Sequence, residues 1–332
     1  MIYRLARRAG AILGMTAATW LALSLVLYLL LYRTLTDVYL NVARSVLQVE
    51  CGRMVEGPLL YTLAPGECRF VNPEFDTRVS VDRDGFRNKP EHLGQGPIKA
   101  AVIGDSHAMG WGVAQGEKLS AQLARDPRLT VRDLSMSSYG TARELMALMT
   151  HAPDANVVVL QYCNNDRAEN AEFLRDPAAF KANAGTRATA YAAEIGHLQA
   201  ASARNSTARA LLRHAMTGLA ATWRLMLLPP RGPSEPPPAS IAEEARLFAG
   251  VLAHFNTALA GKTLIVFESF PRSSRVGFAP AFRSALERAG LSQVQVMDIA
   301  SVIGPRDFYH LDDHMRARGH AKVAARILAE LR

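Results

Sequence analysis

The residues best suited to chemistry lie in Ala101 to Gly112, read AVIGDSHAMGWG. An apolar run there empties into Gly104-Asp105-Ser106-His107, and the residues after it are compatible with a loop and a helix. Open α/β sheets place their chemistry at such junctions, because backbone N–H groups converge there on developing negative charge. Ser106 occupies that position. Gly-Asp-Ser is also at home as an ordinary turn, with Asp105 or Ser106 capping the helix. Three further polar stretches stand downstream: Ser137-Ser138-Tyr139-Gly140, Gln161-Tyr162-Cys163-Asn164-Asn165-Asp166 and Tyr309-His310-Leu311-Asp312-Asp313-His314. The second of these also suits a strand-terminating turn, and Glu169 and Asn170 beyond it either line the mouth of a site or sit in a solvated turn. His310, Asp312 and His314 have a spacing open to a metal, but no helical or cysteine frame accompanies it, so no metal and no cofactor is expected. His107 reads as a local hydrogen-bonding residue and His320 as a helix-surface residue.

The elements that must position these residues alternate along the chain. Lys99 to Ile103, Thr130 to Leu134, Asn156 to Gln161, Thr263 to Glu268 and Val294 to Ile299 are short runs rich in Val, Ile and Leu. Helical patterns such as Leu119 to Ala124 and Ala142 to Met149 lie between them. Near-continuous apolar strands separated by helices predict an α/β fold with a five-stranded, mostly parallel sheet covered on both faces. Reactive residues then belong just after the strands, on one edge. Ser106 follows the first strand, Gly140 the second and Asn165 the third, while His314 precedes a terminal helix from about Arg316.

With these blocks in order, the chain from about Ala100 onward resembles the SGNH (GDSL-like) hydrolase superfamily. GDSH matches its first block, Gly140 its second, Asn165 its third and His314 its last. The lead-in Asp82-Arg83-Asp84-Gly85-Phe86-Arg87-Asn88 is similar to that of bacterial membrane-anchored members. The resemblance implies a flavodoxin-like α/β/α sandwich and ester chemistry at Ser106. In that chemistry a neutral His314 takes the serine proton and returns it to the leaving group. The N–H groups of Ser106 and Gly140 and the side-chain amide of Asn165 form the oxyanion hole, glycine being needed for close approach to substrate. The commonest family pattern is Asp-x-x-His, whereas Leu311 stands three residues before His314. Asp307 and His310 keep that spacing, but His314 followed by Gly319-His320 fits the last block better. Asp312 and Asp313 are then the available acids. Asp312 is favoured to orient the imidazole, because neighbouring side chains in an extended stretch point opposite ways. A Ser–His pair alone, or one oriented by a backbone carbonyl, stays open.

The rest of the chain supplies context. Of 332 residues 49% are hydrophobic, ample for a core. The net charge of +8 owes half to four Arg in Met1 to Thr34, leaving 34 basic against 30 acidic residues, a net of +4. That is too mild for a nucleic-acid partner, and no base-stacking or zinc-finger pattern supports one. Ala11 to Tyr32 is 22 residues without a charge. As a helix it is long enough to cross a membrane, and no small-x-small site marks it as a cleaved leader. Arg4, Arg7 and Arg8 before it place the N-terminus in the cytoplasm and the remainder in the periplasm or outside. Cys51 and Cys68 flank a short loop and suit a disulfide there, two buried thiols being the alternative; Cys163 reads as a core residue. Thr77 to Val81 alternates ahead of the turn signal Asp82 to Gly85, which predicts a small hairpin. Between the third and fourth strands lies an insertion, about 167–260, too long for a loop. In it Leu212, Met216, Leu219, Trp223 and Met226 form an apolar stripe suited to core packing, a lid or a membrane-facing surface. Its Pro-rich stretch Pro229 to Pro238 ends at a capping box, Ser240 to Glu243.

The expected organisation is a cytoplasmic tip and anchor over 1–34, an irregular lead-in over 35–98 and the hydrolase-like domain over 99–332. The expected function is a serine esterase of the inner membrane, removing acyl groups, acetyl among them, from an envelope glycan or lipid. An acyltransferase using the same serine, or a noncatalytic glycan-binding protein of the same fold, is the alternative.

Overall fold

The computed structural model describes residues 10–26, 51–72, 74–193, 238–270, 274–309 and 312–331. Residues 10–26 form a helix and belong to one compact unit; the remaining described residues form another. The helix leaves Ile12, Leu13, Met15, Trp20 and Leu21 exposed. At ~1.5 Å per residue it rises about 25 Å, short of the ~30 Å hydrocarbon layer. Among the described residues no helix is long and apolar enough to cross a membrane. The expected span runs on to Tyr32, and 27–32 lie outside the described residues, as do the stripe from Leu212 to Met226 and most of the Pro-rich stretch.

The larger unit is built on a parallel sheet. Before it come short strands β1 (Gly52–Met54), β2 (Tyr61–Leu63), β3 (Gly66–Asn72) and β4 (Phe75–Val81). The sheet strands are β5 (Ile98–Ile103), β6 (Leu129–Asp133), β7 (Val157–Tyr162), β8 (Thr263–Glu268) and β9 (Gln295–Met297). Their order across the sheet is β6-β5-β7-β8-β9, and every pairing is parallel. This is the flavodoxin-like order, whose switch point lies between the first and third sheet strands. Here those are β5 and β7, the strands that lead into Ser106 and Asn165.

Two-residue alternation sorts the strand side chains between two cores. Ala101, Ile103, Val158, Leu160, Leu264 and Val266 join one, and Ala100, Val102, Val157, Val159, Ile265 and Phe267 the other. Helices α1 (Ser106–Met109) and α2 (Leu119–Leu123) follow β5, and α3 (Thr141–His151) follows β6. After β7 come α4 (Asp166–Arg175), α5 (Pro177–Ala182), α6 (Pro238–His254) and α7 (Asn256–Leu259). Helices α8 (Phe278–Arg288) and α9 (Ala317–Glu330) complete the unit. Leu145 of α3, Phe248 of α6 and Phe282 of α8 pack on the first face, and Leu119 of α2 with Val323 and Ile327 of α9 on the second. Both faces are thus covered, the arrangement that the unbroken apolar strands require.

Strand β4 pairs antiparallel with β3, from Gly66 opposite Val81 to Asn72 opposite Phe75. The hairpin therefore closes between 72 and 75, ahead of the turn signal at Asp82. That signal makes a different turn: Asp82 Oδ1 accepts from the N–H groups of Asp84 (2.9 Å) and Phe86 (3.1 Å). The side chain satisfies the local donors, and the chain runs on to Asn88, whose amide donates to the Asp133 carbonyl of β6 at 2.9 Å. Cys51 and Cys68 form a disulfide, with Cα atoms 5.8 Å apart, and Cys163 is buried and free.

Candidate active site

Ser106 is the first residue of α1, so its N–H has no intrahelical acceptor. Several groups hold it at the end of β5. The Asp105 side chain caps α1 through the His107 N–H at 2.8 Å, and Gly110 closes the helix in the left-handed conformation at φ 78°. A side chain at Gly110 would also meet Lys118 Cβ at 2.8 Å, so both conformation and space require glycine. Gln161, at the end of β7, accepts from the Asp105 and Ala108 N–H groups at 3.1 and 3.2 Å, stitching the turn to the neighbouring strand.

The loop before α9 brings His314 to Ser106. His314 Nε2 lies 2.7 Å from Ser106 Oγ, and His314 Nδ1 lies 2.5 Å from Asp312 Oδ1, which also accepts from the His314 N–H at 2.9 Å. Asp313 is further off at 3.5 Å and more exposed. The loop is itself held: the Tyr309 N–H donates to the His314 carbonyl at 3.0 Å, and the Asp312 N–H to Glu74 Oε2 at 2.9 Å. Asp307, the acid that keeps the commoner spacing, instead takes the Lys322 ammonium at 2.7 Å and the Gly304 N–H at 2.9 Å; His310 lies outside the described residues.

The electrostatics suit proton transfer. Burial disfavours charge on His314, but the Asp312 bond and the charges of Asp312, Asp313 and Asp105 outweigh it and hold the imidazole above its ordinary 6.5. Asp312 is partly desolvated, yet its bonds to His314 hold it below the ordinary carboxylate value. Ser106, His314 and Asp312 thus form a relay from hydroxyl to imidazole to carboxylate, the arrangement that activates a serine as a nucleophile.

Two further imidazoles are buried nearby. His107 is 3% exposed, its ring centroid 4.7 Å from that of His314, and its Nδ1 lies 3.1 Å from Ser269 Oγ. Burial and the neighbouring His314 charge push it down to about 4, so it stays neutral beside His314. His320 is fully buried rather than on the helix surface, its Nε2 3.7 Å from where a Cβ on Gly110 would stand. Burial and the charges of His107 and Arg87 push it down to about 3.

The residues expected to bind an oxyanion divide. Asn165 stands at the N-cap position of α4 without a side-chain cap bond; one N–H of its amide goes to Asp105 Oδ2 at 3.0 Å, and the second has no partner among the described residues. Gly140, at the N-terminus of α3, is placed differently from expectation. Its N–H donates to Glu169 Oε1 at 3.0 Å, so the donor faces a carboxylate of the same chain. Glu169 and Asn170 are in α4 rather than a solvated turn, and Asn170 is fully buried against Thr141.

No family model matches the sequence, and no curated protein does. Solved structures are similar at low identity. One is a carbohydrate esterase family 2 enzyme with its carbohydrate-binding domain, from Corynascus thermopiles, at 13% identity, covering 80% of this chain and 75% of that one with a TM-score of 0.40. Another is a psychrotrophic esterase from Pseudoalteromonas sp., at 10% identity, covering 70% and 96% with a TM-score of 0.38. A third is an acetyl-xylooligosaccharide esterase from Geobacillus, at 13% identity, covering 72% and 96% with a TM-score of 0.37. Likeness this distant does not bear on activity, which the residues themselves must carry.

Several supports of the site carry no sequence motif of their own. Gln161 lies inside an apolar strand, Glu74 in a hairpin far from His314 in sequence, and Arg143 and Glu169 in separate helices. Arg87 does belong to the lead-in motif. Its buried guanidinium donates to the carbonyls of Met109 (2.9 Å), Gly110 (2.6 Å) and Val113 (2.8 Å), holding the loop behind Ser106.

Proposed function

We propose that this chain is a serine ester hydrolase, anchored at the inner membrane and acting outside the cytoplasm on acyl esters of an envelope glycan or lipid. The relay from Ser106 Oγ through His314 to Asp312 carries the reading. His314 Nε2 takes the hydroxyl proton as Ser106 Oγ bonds to the ester carbonyl carbon. The oxyanion so formed meets the Ser106 N–H and the remaining N–H of Asn165. Its collapse breaks the bond to the alcohol, which leaves with the proton from His314, and water then repeats the sequence to release the acid. The uncharged stretch Ala11 to Tyr32, with the exposed apolar helix over 10–26, supports the anchor.

The test is hydrolysis of p-nitrophenyl acetate and longer esters by the full chain in detergent, beside Ser106→Ala and His314→Ala. Wild-type turnover abolished by both substitutions is the expected result. Turnover that survives Ser106→Ala refutes the assignment. If the wild type is acylated at Ser106 but passes the group to a sugar hydroxyl faster than to water, the enzyme is an acyltransferase. No acylation at all points to a binding protein.

A further inference from the structure

Gly140 and Ser106 follow adjacent strands at one sheet edge, and Asn165 follows the strand on the other side of β5. Glu169 stands four residues beyond Asn165, so both are on one face of the start of α4. From there its carboxylate reaches the Gly140 N–H at 3.0 Å. At φ −94° Gly140 does not need glycine for its backbone conformation. What excludes a side chain is Glu169 itself, whose Oε1, Cδ and Cβ would lie 2.7, 2.8 and 2.9 Å from an added Cβ. The glycine therefore makes room for a carboxylate of its own chain.

That carboxylate is held firmly. Arg143 donates to Glu169 Oε2 through Nε at 2.8 Å and also through Nη2, and the same Nη2 donates to the Ser138 carbonyl at 2.8 Å. Arg143 is 1% exposed and packs over Tyr61 and Tyr139. Arg187, with its Nη2 at 3.4 Å from Oε2, adds a second positive charge. Oε2 is thus committed to arginines, and Oε1 alone blocks the Gly140 N–H.

We infer that Glu169 is a gate on the oxyanion hole: it withholds the Gly140 N–H at rest, and a substrate able to displace it gains a third donor together with the nearby charges of Arg143 and Arg187. This rests on the ester-hydrolase reading. The competing structural role is a cap. Position N3 of α3 is Arg143, which cannot accept from the N-cap N–H as a capping-box glutamate does, and Glu169 supplies that acceptor instead. A cap predicts only loss of stability when Glu169 is removed, whereas a gate predicts a gain in rate.

The experiment is labelling of Ser106 by a fluorophosphonate on the full chain, with p-nitrophenyl acetate hydrolysis in parallel. Labelling forms the Ser106 Oγ–P bond, expels fluoride and passes the serine proton to His314, and the phosphonyl oxygen occupies the oxyanion position. One oxyanion donor is worth about 10²–10³ in rate. Glu169→Ala is expected to label and turn over at least tenfold faster than wild type, despite a lower melting temperature. A folded Glu169→Ala that labels no faster than wild type overturns the gate and leaves the hydrolase reading intact. Absence of labelling in both overturns the two together. Should Glu169→Ala not fold, the structure of phosphonylated wild type decides. The gate requires the phosphonyl oxygen on the Gly140 N–H with Glu169 displaced, and Glu169 still bound to that N–H refutes it.

Discussion

Replacing Arg87 with methionine keeps an unbranched apolar stem, shorter than the arginine, and removes every donor. Each bond from its guanidinium to the carbonyls of Met109, Gly110 and Val113 is charge-assisted and contributes roughly 1.5–3 kcal/mol, so about 4–9 kcal/mol in all. Burial opposes this. It pushes Arg87 down to about 10, equivalent to about 3 kcal/mol against holding the charge there. The net loss expected for Arg87→Met is therefore about 1–6 kcal/mol. At about 2–4 °C per kcal/mol for a unit of this size, the melting temperature should fall by roughly 2–24 °C. Activity should fall as well. The Trp111 N–H donates to the Ser106 carbonyl at 3.1 Å, so a loop released at Met109 and Gly110 shifts the nucleophile directly. A displacement near 1 Å is worth about a hundredfold, and the loss should appear in kcat rather than KM. Arg87→Lys, a point donor in place of a fork, should recover only part of both effects. Circular-dichroism melts and p-nitrophenyl acetate kinetics measure them. An Arg87→Met variant that melts within about 1 kcal/mol of wild type and turns over at the wild-type rate refutes this reasoning.

Two pH profiles are set by the buried groups. His314 must be neutral to accept the serine proton, and its bond and charge partners hold it above 6.5, so kcat/KM should rise with pH through an apparent value above 6.5. Asp312→Asn removes the largest raising influence. It should move that limb to lower pH while cutting the plateau by about 10⁴ in kcat, and an unmoved limb would place the orienting acid elsewhere. Glu144 lies beneath the site, fully buried, with both carboxylate oxygens unpartnered among the described residues. Burial, and then the charges of Asp166, Asp105 and Glu169, raise it well above the ordinary carboxylate value. The folded state thus binds its proton more tightly than the unfolded chain does. Stability is full below the unfolded value and declines as pH rises toward the folded one, at about 1.4 kcal/mol per pH unit for one group. Urea titrations from pH 5 to 7 should show that decline, with Glu144→Gln flatter by about that slope; parallel curves would show Glu144 ionised in the fold.

The sheet was legible because buried parallel strands leave little choice of residue. Val157 to Leu160 is apolar on both faces, and such a run between helical patterns has few other folds open to it. Ser106, Asn165 and His314 were legible for a related reason: polar residues stand out where an apolar strand stops. Asp312 over Asp313 followed from the two-residue alternation of extended chain. The partner of the Gly140 N–H was not legible, since a residue 29 positions away decides what it meets and no local pattern announces Glu169. His320 was misplaced because a helix-surface pattern says nothing of a loop folding over it. The hairpin partner of β4 was ambiguous, as the turn signal after the strand is stronger in sequence than the two residues before it.

The lead-in is where sequence said least and structure says most. Its hairpin looks like an appendage, but it touches the loops that carry both halves of the relay. On the serine side, Thr77 Oγ1 donates to the Gly112 carbonyl at 2.7 Å, and Phe70 stacks on Trp111 with centroids 4.7 Å apart. On the histidine side, Glu74 accepts the Asp312 N–H at 2.9 Å and pairs with Arg316 at 3.2 Å, while Phe75 packs against Tyr309. Tyr309 closes the circle by donating to the same Gly112 carbonyl at 2.8 Å. Ser106 and His314 are 208 positions apart in the chain, and the covalent path between them passes through long connections that could not hold a 2.7 Å contact alone. The hairpin bridges them at short range. The Asp312 backbone, and with it the carboxylate set against His314, is thus held by the turn of a hairpin that precedes the parallel sheet, so damage to the lead-in should be read out at His314 before it is read out in the core.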